Sequence, residues 1–257
     1  MLTVPPATLA ASLRDQHLLF LGDSVMAQLE CDLRFALDSV SECWSRPHPA
    51  CDTERGQCAG EFVYPRLNIS TRFLGVGCPW FCDQHNNGSV TERRALVLPQ
   101  AAAGATSVVF NIGNHYAGMK EGFFTESVAQ FELGLRRTRL PVAVISPSAT
   151  HFATADGSYH GTTASSGGHC QAHAAGALPT HPQEHHLRHL AARLPQGRYV
   201  DIYRLSDDPR QHSRWHTSAD GKLHVVDDCR HFCQNCFMLR AWNTLLAQEL
   251  YHGSPLE

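Results

Sequence analysis

The sequence predicts an α/β protein: a three-layer α/β/α sandwich around a five-stranded parallel sheet, in a doubly wound, flavodoxin-like order. Three observations predict it. Five short runs of β-type residues punctuate the chain, and several are almost continuously apolar, as strands covered on both faces must be. Segments with apolar residues at helical spacing lie between them. Alternation of the two is the signature of βαβ units. At 257 residues the chain can bury one good core, and it reads as a single domain spanning 1–257.

The strands are expected at Leu18–Asp23, Thr71–Val76, Ser107–Gly113, Val142–Ser146 and Tyr199–Tyr203. After the first strand, Val25, Leu29, Leu33, Ala36, Leu37 and Val40 mark a helix. Phe124, Val128, Phe131 and Leu135 mark another before the fourth strand, and Leu187, Leu190, Ala191 and Leu194 one before the fifth. Met238, Ala241, Trp242, Leu245, Leu246 and Leu250 form a closing amphipathic helix. Three connections break the pattern. Residues 41–67 hold Cys43, Cys51 and Cys58 among Pro and Gly and read as an irregular insertion, and 77–97, with Cys78 and Cys82, reads the same way. Residues 150–182 are rich in Gly, Ser, Ala and His and read as a long surface loop, a length usually tied to function or disorder.

Composition excludes several classes. Lys and Arg total 21 against 24 Asp and Glu, a net charge of −3, with no basic run. Neither nucleic acid nor an anionic membrane surface is an expected partner. No stretch approaches the ~20 apolar residues of a membrane span, and Met1 to Asp15 lacks the charged-then-apolar plan of a signal peptide. There are ten Cys, an even number, and Asn68-Ile69-Ser70 and Asn87-Gly88-Ser89 match the N-glycosylation acceptor pattern. Together they point to the secretory pathway, Golgi lumen or extracellular, with several disulfides. The targeting segment is then expected outside this chain.

The chemistry sits in two motifs. Gly22-Asp23-Ser24 follows the first strand and opens the first long helix. A serine there stands at the carboxyl end of the sheet, where α/β folds bind ligands, beside helix N–H groups and the positive end of a helix dipole. The Ser24 N–H can face a developing oxyanion. By itself the tripeptide is equally a helix-capping turn. Late in the chain, Asp228 precedes His231 by three residues in Asp227-Asp228-Cys229-Arg230-His231, just before the closing helix. At a loop-to-helix junction such an Asp can hold the imidazole through Nδ1–H and leave Nε2 as the base toward a serine.

With both motifs in view, the chain resembles the SGNH/GDSL hydrolase superfamily, in particular its PC-esterase branch and the plant trichome-birefringence-like polysaccharide O-acetyltransferases. Val108-Val109-Phe110-Asn111-Ile112-Gly113 is similar to that family's third strand and Phe-Asn-Thr-Gly turn. Ser146-Pro147 with His151-Phe152, then Gly167-Gly168-His169-Cys170, resemble its Ser-Pro-x-His-Phe and Gly-Gly-x-Cys segments. Asp228 to Cys233 resembles Asp-Cys-x-His-Trp-Cys, and Ala241 to Leu246 the Trp-Asn-x-Leu-Leu ending. The resemblance covers nearly the whole chain in order. It implies a Ser24–His231–Asp228 triad with an oxyanion hole from the Ser24 N–H, a glycine after the second strand (Gly77 over Gly75) and an asparagine after the third (Asn114 over Asn111). Asp23, His115 and His151 are further cleft candidates. The resemblance implies acyl, in particular acetyl, transfer to water or a sugar hydroxyl. The expected partners are an acetylated carbohydrate, or an acetyl donor with a polysaccharide acceptor, and no cofactor. It also makes Cys229 and Cys233 the first candidates for disulfides. Plant members carry an Arg where this chain has Ala27, which implies a different donor or acceptor.

Other readings compete. Cys229, Cys233 and Cys236 have the spacing of a radical-SAM iron–sulfur site, but too little chain follows to build the barrel. His169 with His173, and His185 with His189, are i, i+4 pairs that can bind a metal from one helix face, yet no HExxH occurs. The expectation is no metal. A carbohydrate-binding protein on a non-catalytic SGNH scaffold remains the third alternative.

Overall fold

Five parallel strands form the centre of a six-stranded sheet: β1 (His17–Gly22), β5 (Ile69–Gly75), β6 (Ser107–Asn111), β7 (Val142–Ile145) and β8 (Gly197–Val200). The sixth, β4 (Glu61–Tyr64), pairs antiparallel with β5 at the edge. The order is β4-β5-β1-β6-β7-β8, so the parallel strands follow the doubly wound 2-1-3-4-5 pattern. The computed structural model describes residues 3–38, 51–52, 57–58, 61–75, 98–113, 121–151, 170–171, 183–219, 222–232 and 237–252.

Alternate residues of the strands feed two cores. Leu18 and Phe20 of β1, Val109, Ala143 and Val200 pack with α1 (Pro6–Ser12), α2 (Ser24–Asp38) and α5 (Phe237–Ala247). Leu19, Leu21, Val108, Phe110 and Val144 pack with α3 (Glu121–Thr138) and α4 (Glu184–Arg193) on the other face. Burial on both faces explains why β1, β6 and β7 read as nearly continuous apolar runs.

Helix α2 is buried almost all round, because the sheet lies on one side and α1 and α5 on others. Its polar residues are therefore paired. Glu30 bonds Arg34 and accepts from Thr71 Oγ1, and Asp32 Oδ2 accepts from Arg240 Nε at 3.2 Å and Asn243 Nδ2 at 3.0 Å. Burial pushes the Asp32 carboxyl above the ordinary range although Arg240 and Asn243 pull it down. These bonds fix α5, and with it the C-terminal part of the chain, against the helix that begins at Ser24.

The structure corrects the expected architecture in three places. The sheet has a sixth strand, β4, inside the 41–67 segment, which also holds a small antiparallel pair, β2 (Cys51–Asp52) and β3 (Gln57–Cys58). Second, Asp228 and His231 do not sit at a loop-to-helix junction. They lie in β10 (Lys222–Phe232), which pairs antiparallel with β9 (His212–Ala219) as a separate two-stranded ribbon. Third, the five predicted strands stop short: β1 ends at Gly22, β6 at Asn111 and β8 at Val200. All of 77–97 and most of 150–182 lie outside the described residues.

Candidate active site

Gly75, Gly22 and Asn111 are register partners, so the carboxyl ends of β5, β1 and β6 stand side by side. The chain leaves β1 for β5 on one side and returns to β6 on the other, which makes the end of β1 the topological switch point where such folds bind ligands. Gly22 is needed there. A Cβ on it would stand 2.3 Å from Met26 and 2.5 Å from the Asn111 carbonyl oxygen.

Two residues on, α2 begins. Asp23 is its cap: its carbonyl accepts from Ala27 N–H at 3.1 Å and its Oδ1 from Val25 N–H at 3.0 Å. Through 18–34 every residue is buried except Ser24, which is partly exposed. Solvent therefore reaches the strand–helix junction of this otherwise sealed stretch at the serine. The capping alternative for Gly22-Asp23-Ser24 thus belongs to Asp23, whose carboxylate faces the helix.

The neighbouring strand ends are tied away from β1. Asn111 Nδ2 donates to the carbonyls of Ile145 and Ser146, each at 2.9 Å, and its Oδ1 accepts from Gly113 N–H at 3.2 Å. This amide braces β6 against β7. Gly77, Asn114 and His115 lie outside the described residues. Gly75 is the β5 residue level with Gly22.

The second motif reaches α2 through main-chain bonds. Gln28, one helical turn after Ser24 and buried, donates from Nε2 to the Phe232 carbonyl at 2.8 Å and accepts the Phe232 N–H on Oε1 at 3.0 Å. Phe232 directly follows His231. Positions i and i+4 share a helix face, so the bond brings the two ends of the sequence, 204 residues apart, to one side of α2. Along β10 the pairing jumps from Asp228↔Ser213 to Phe232↔His212, and the intervening Cys229, Arg230 and His231 fall within this register shift. Such bulges re-aim side chains and recur beside active sites. This one is fastened at both ends. Phe232 is gripped by Gln28 and packs on Trp242 with ring centroids 4.8 Å apart. Cys229 forms a disulfide with Cys170, and its carbonyl accepts the His151 N–H at 2.9 Å.

His151, expected as a cleft or packing residue, is fully buried, with its N–H on the Cys229 carbonyl. Ser146 explains why it is there: its Oγ accepts the N–H groups of Ile202 and Tyr203 at 2.8 and 2.9 Å, and Ser206 Oγ accepts that of Ala149 at 2.6 Å. The segment from Ser146 to His151 is thereby laid along 202–206. Ala27, where the resembling plant enzymes carry Arg, is fully buried.

Of the three residues expected to form a triad, Ser24 opens α2 and Asp228 and His231 lie in β10. Sequence reasoning missed Gln28, Asp207 and His212. The spacing of Gln28 from Ser24 was the one available signal. The disulfide removes Cys229 from a three-thiolate cluster. Among the described residues no group of three or more His, Cys, Asp or Glu is arranged to hold a metal, and no helix is long and apolar enough to cross a membrane. Cys31 is a buried thiol outside any disulfide, and burial, reinforced by Glu30, pushes its pKa up to about 12. No protein-family model and no curated protein matches the chain.

Proposed function

We propose that the chain is a serine-nucleophile acyl hydrolase or acyltransferase in which Ser24 is acylated, His231 is the general base and Asp228 orients it. The observation that carries this reading is the Gln28–Phe232 clamp. It ties the main chain beside His231 to the helix face of Ser24, a convergence that a mere capping turn and a surface histidine do not need. Attack by Ser24 Oγ forms the acyl–oxygen bond as His231 takes the hydroxyl proton. Collapse of the tetrahedral intermediate expels the leaving alcohol, which receives that proton. The Ser24 N–H at the start of α2, with Gly77 and Asn114, is assigned to the oxyanion.

Within that class we assign the chain to the PC-esterase branch of the SGNH/GDSL superfamily, acting on O-acetyl groups of carbohydrate without a cofactor. The buried Ala27 supports a donor or acceptor bound differently from that of the plant enzymes. The Cys170–Cys229 disulfide and the exposed turn position of Asn68 support a lumenal or extracellular setting. The direct test is intact-mass detection of an acetyl adduct on Ser24 after incubation with p-nitrophenyl acetate. An adduct on another residue, or none during turnover, overturns the reading.

Replacing Gln28 by Leu is expected to strand two buried main-chain groups of Phe232. It should cost about 2–4 kcal/mol in chemical denaturation and lower kcat by roughly 10–100-fold through misplacement of the bulge. A Gln28→Leu enzyme with wild-type kcat would separate the clamp from the chemistry.

A further inference from the structure

Behind the bulge lies a line of titratable groups for which the acyl-transfer scheme has no use. His151 Nε2 meets Asp207 Oδ1 at 3.0 Å, and its Nδ1 meets His212 Nε2 at 2.6 Å. Both rings are buried, whereas the Asp207 side chain is 31% exposed. His212 also packs on Phe232, with centroids 4.6 Å apart, and its Cα is the register partner of Phe232 across the bulge. Asp207, the Phe232 ring of β10 and the main chain of Cys229 are among the groups that face the line. Asp208 turns instead to Arg210, at 2.9 Å from each carboxylate oxygen.

Hydrogen-bond chemistry restricts the protonation of this line. An ionised carboxylate only accepts, so His151 Nε2 carries a proton. The inter-ring contact holds one proton, with one nitrogen donating and the other accepting. When both rings are neutral, His212 Nε2–H donates to His151 Nδ1. A proton taken up at His212 Nδ1 makes that ring cationic. Shift of the bridging proton from His212 Nε2 to His151 Nδ1 then moves the charge beside Asp207 and leaves His212 neutral, protonated at Nδ1. A second proton would set two N–H groups against each other 2.6 Å apart.

We propose that Asp207, His151 and His212 form a one-proton relay that braces the β9–β10 ribbon, with His151 a positioning residue for the general base His231. The brace is mechanical as well as protonic. The His151 N–H holds the Cys229 carbonyl and its own carbonyl holds the Gln171 N–H, both at 2.9 Å, beside the Cys170–Cys229 disulfide. Movement of the ring is therefore passed to a residue two positions from His231. Neutral His151 and cationic His151 load the Asp207 bond differently, which couples the position of the bulge to pH. The functional half of this proposal rests on the acyl-serine reading; the proton count does not.

The test uses the whole chain with ¹⁵N-labelled histidine, together with His151→Phe, which keeps an aromatic ring, and Asp207→Asn, at the partly exposed end. The ring spectra of the unliganded protein should show His151 protonated at Nε2 throughout and the pair taking up a single proton. His151→Phe should abolish that signature and lower kcat about 10–100-fold while KM stays within about twofold. Loss of the carboxylate removes what favours the cation, so Asp207→Asn should move the acidic limb of kcat/KM to lower pH. If His151→Phe does not fold, Asp207→Asn decides the functional half alone, and an unmoved limb sinks it. Two rings that take up separate protons, or a folded His151→Phe protein with wild-type kcat, overturn the relay. Undiminished activity in Ser24→Ala would overturn the acyl-serine reading instead, with the proton count still decided by the spectra.

Discussion

Ser24→Ala is expected to abolish ester hydrolysis, with a loss on the order of a millionfold in kcat, as for other triad nucleophiles, while the fold survives. The two halves of that expectation come from different atoms. The start of α2 is capped by Asp23, through its carbonyl on Ala27 and its carboxylate on Val25, so deleting the Ser24 hydroxyl leaves the cap in place. Thermal or chemical denaturation should therefore move by no more than about 1 kcal/mol. Asp23→Ala provides the contrast. It removes the cap and should cost about 0.5–2 kcal/mol. A Ser24→Ala protein that turned over at the wild-type rate would remove the nucleophile from the proposal. One that unfolded while Asp23→Ala did not would return the tripeptide to a structural role.

The parts of this protein that could be read from sequence are those in which burial is local. β1, β6 and β7 are buried along nearly their whole length, so each shows an apolar run that neighbouring elements cannot disguise. β4 escaped because an edge strand alternates: Glu61 and Val63 are exposed while Tyr64 is buried. The β9–β10 ribbon escaped for a related reason. It lies outside the main sheet, and residues such as His212, Arg214, His216, His224, Asp227 and Arg230 give it no apolar signature. The candidate site divides in the same way. Ser24 was legible because strand, turn and helix are contiguous. The Gln28–Phe232 clamp and the His151–His212 pair, whose partners lie 204 and 61 residues apart, exist only in the folded chain. Several residues that carried the family resemblance prove to be structural: Asn111 braces two strands, Asn243 ties α5 to α2 through Asp32 and the Leu29 carbonyl, and Trp242 packs on Phe232.

The ribbon changes how Asp228 could orient His231 in the proposed triad, and Asp228→Asn tests it. At a helix entrance, neighbours three apart turn to one side. In a regular strand, positions three apart fall on opposite faces, so a carboxylate at 228 and an imidazole at 231 would be kept from each other. The register break between Asp228 and Phe232 lifts that constraint, because the three residues after Asp228 fall within it. Asp227 and Asp228 both remain in the ladder, as partners of Arg214 and Ser213. Adjacent strand positions take opposite faces, so the two carboxyl groups are expected to differ sharply in effect. Replacing the orienting carboxylate favours the wrong imidazole tautomer, at a cost of about 10⁴ in kcat in the well-studied serine protease. Here Asp228→Asn should lower kcat by roughly 10²–10⁴ and Asp227→Asn by less than about tenfold. Steady-state kinetics on the two variants, with KM and denaturation midpoints as controls, separates three outcomes. Reversal of the two effects moves the orienting role to Asp227 and shifts the alignment with the resembling family by one residue. If neither variant matters while His231→Ala is inactive, the chemistry is that of a Ser24–His231 dyad held in place by the bulge alone. The expected pattern leaves the triad intact and makes the broken strand register, rather than a helix, the element that lets Asp228 reach His231.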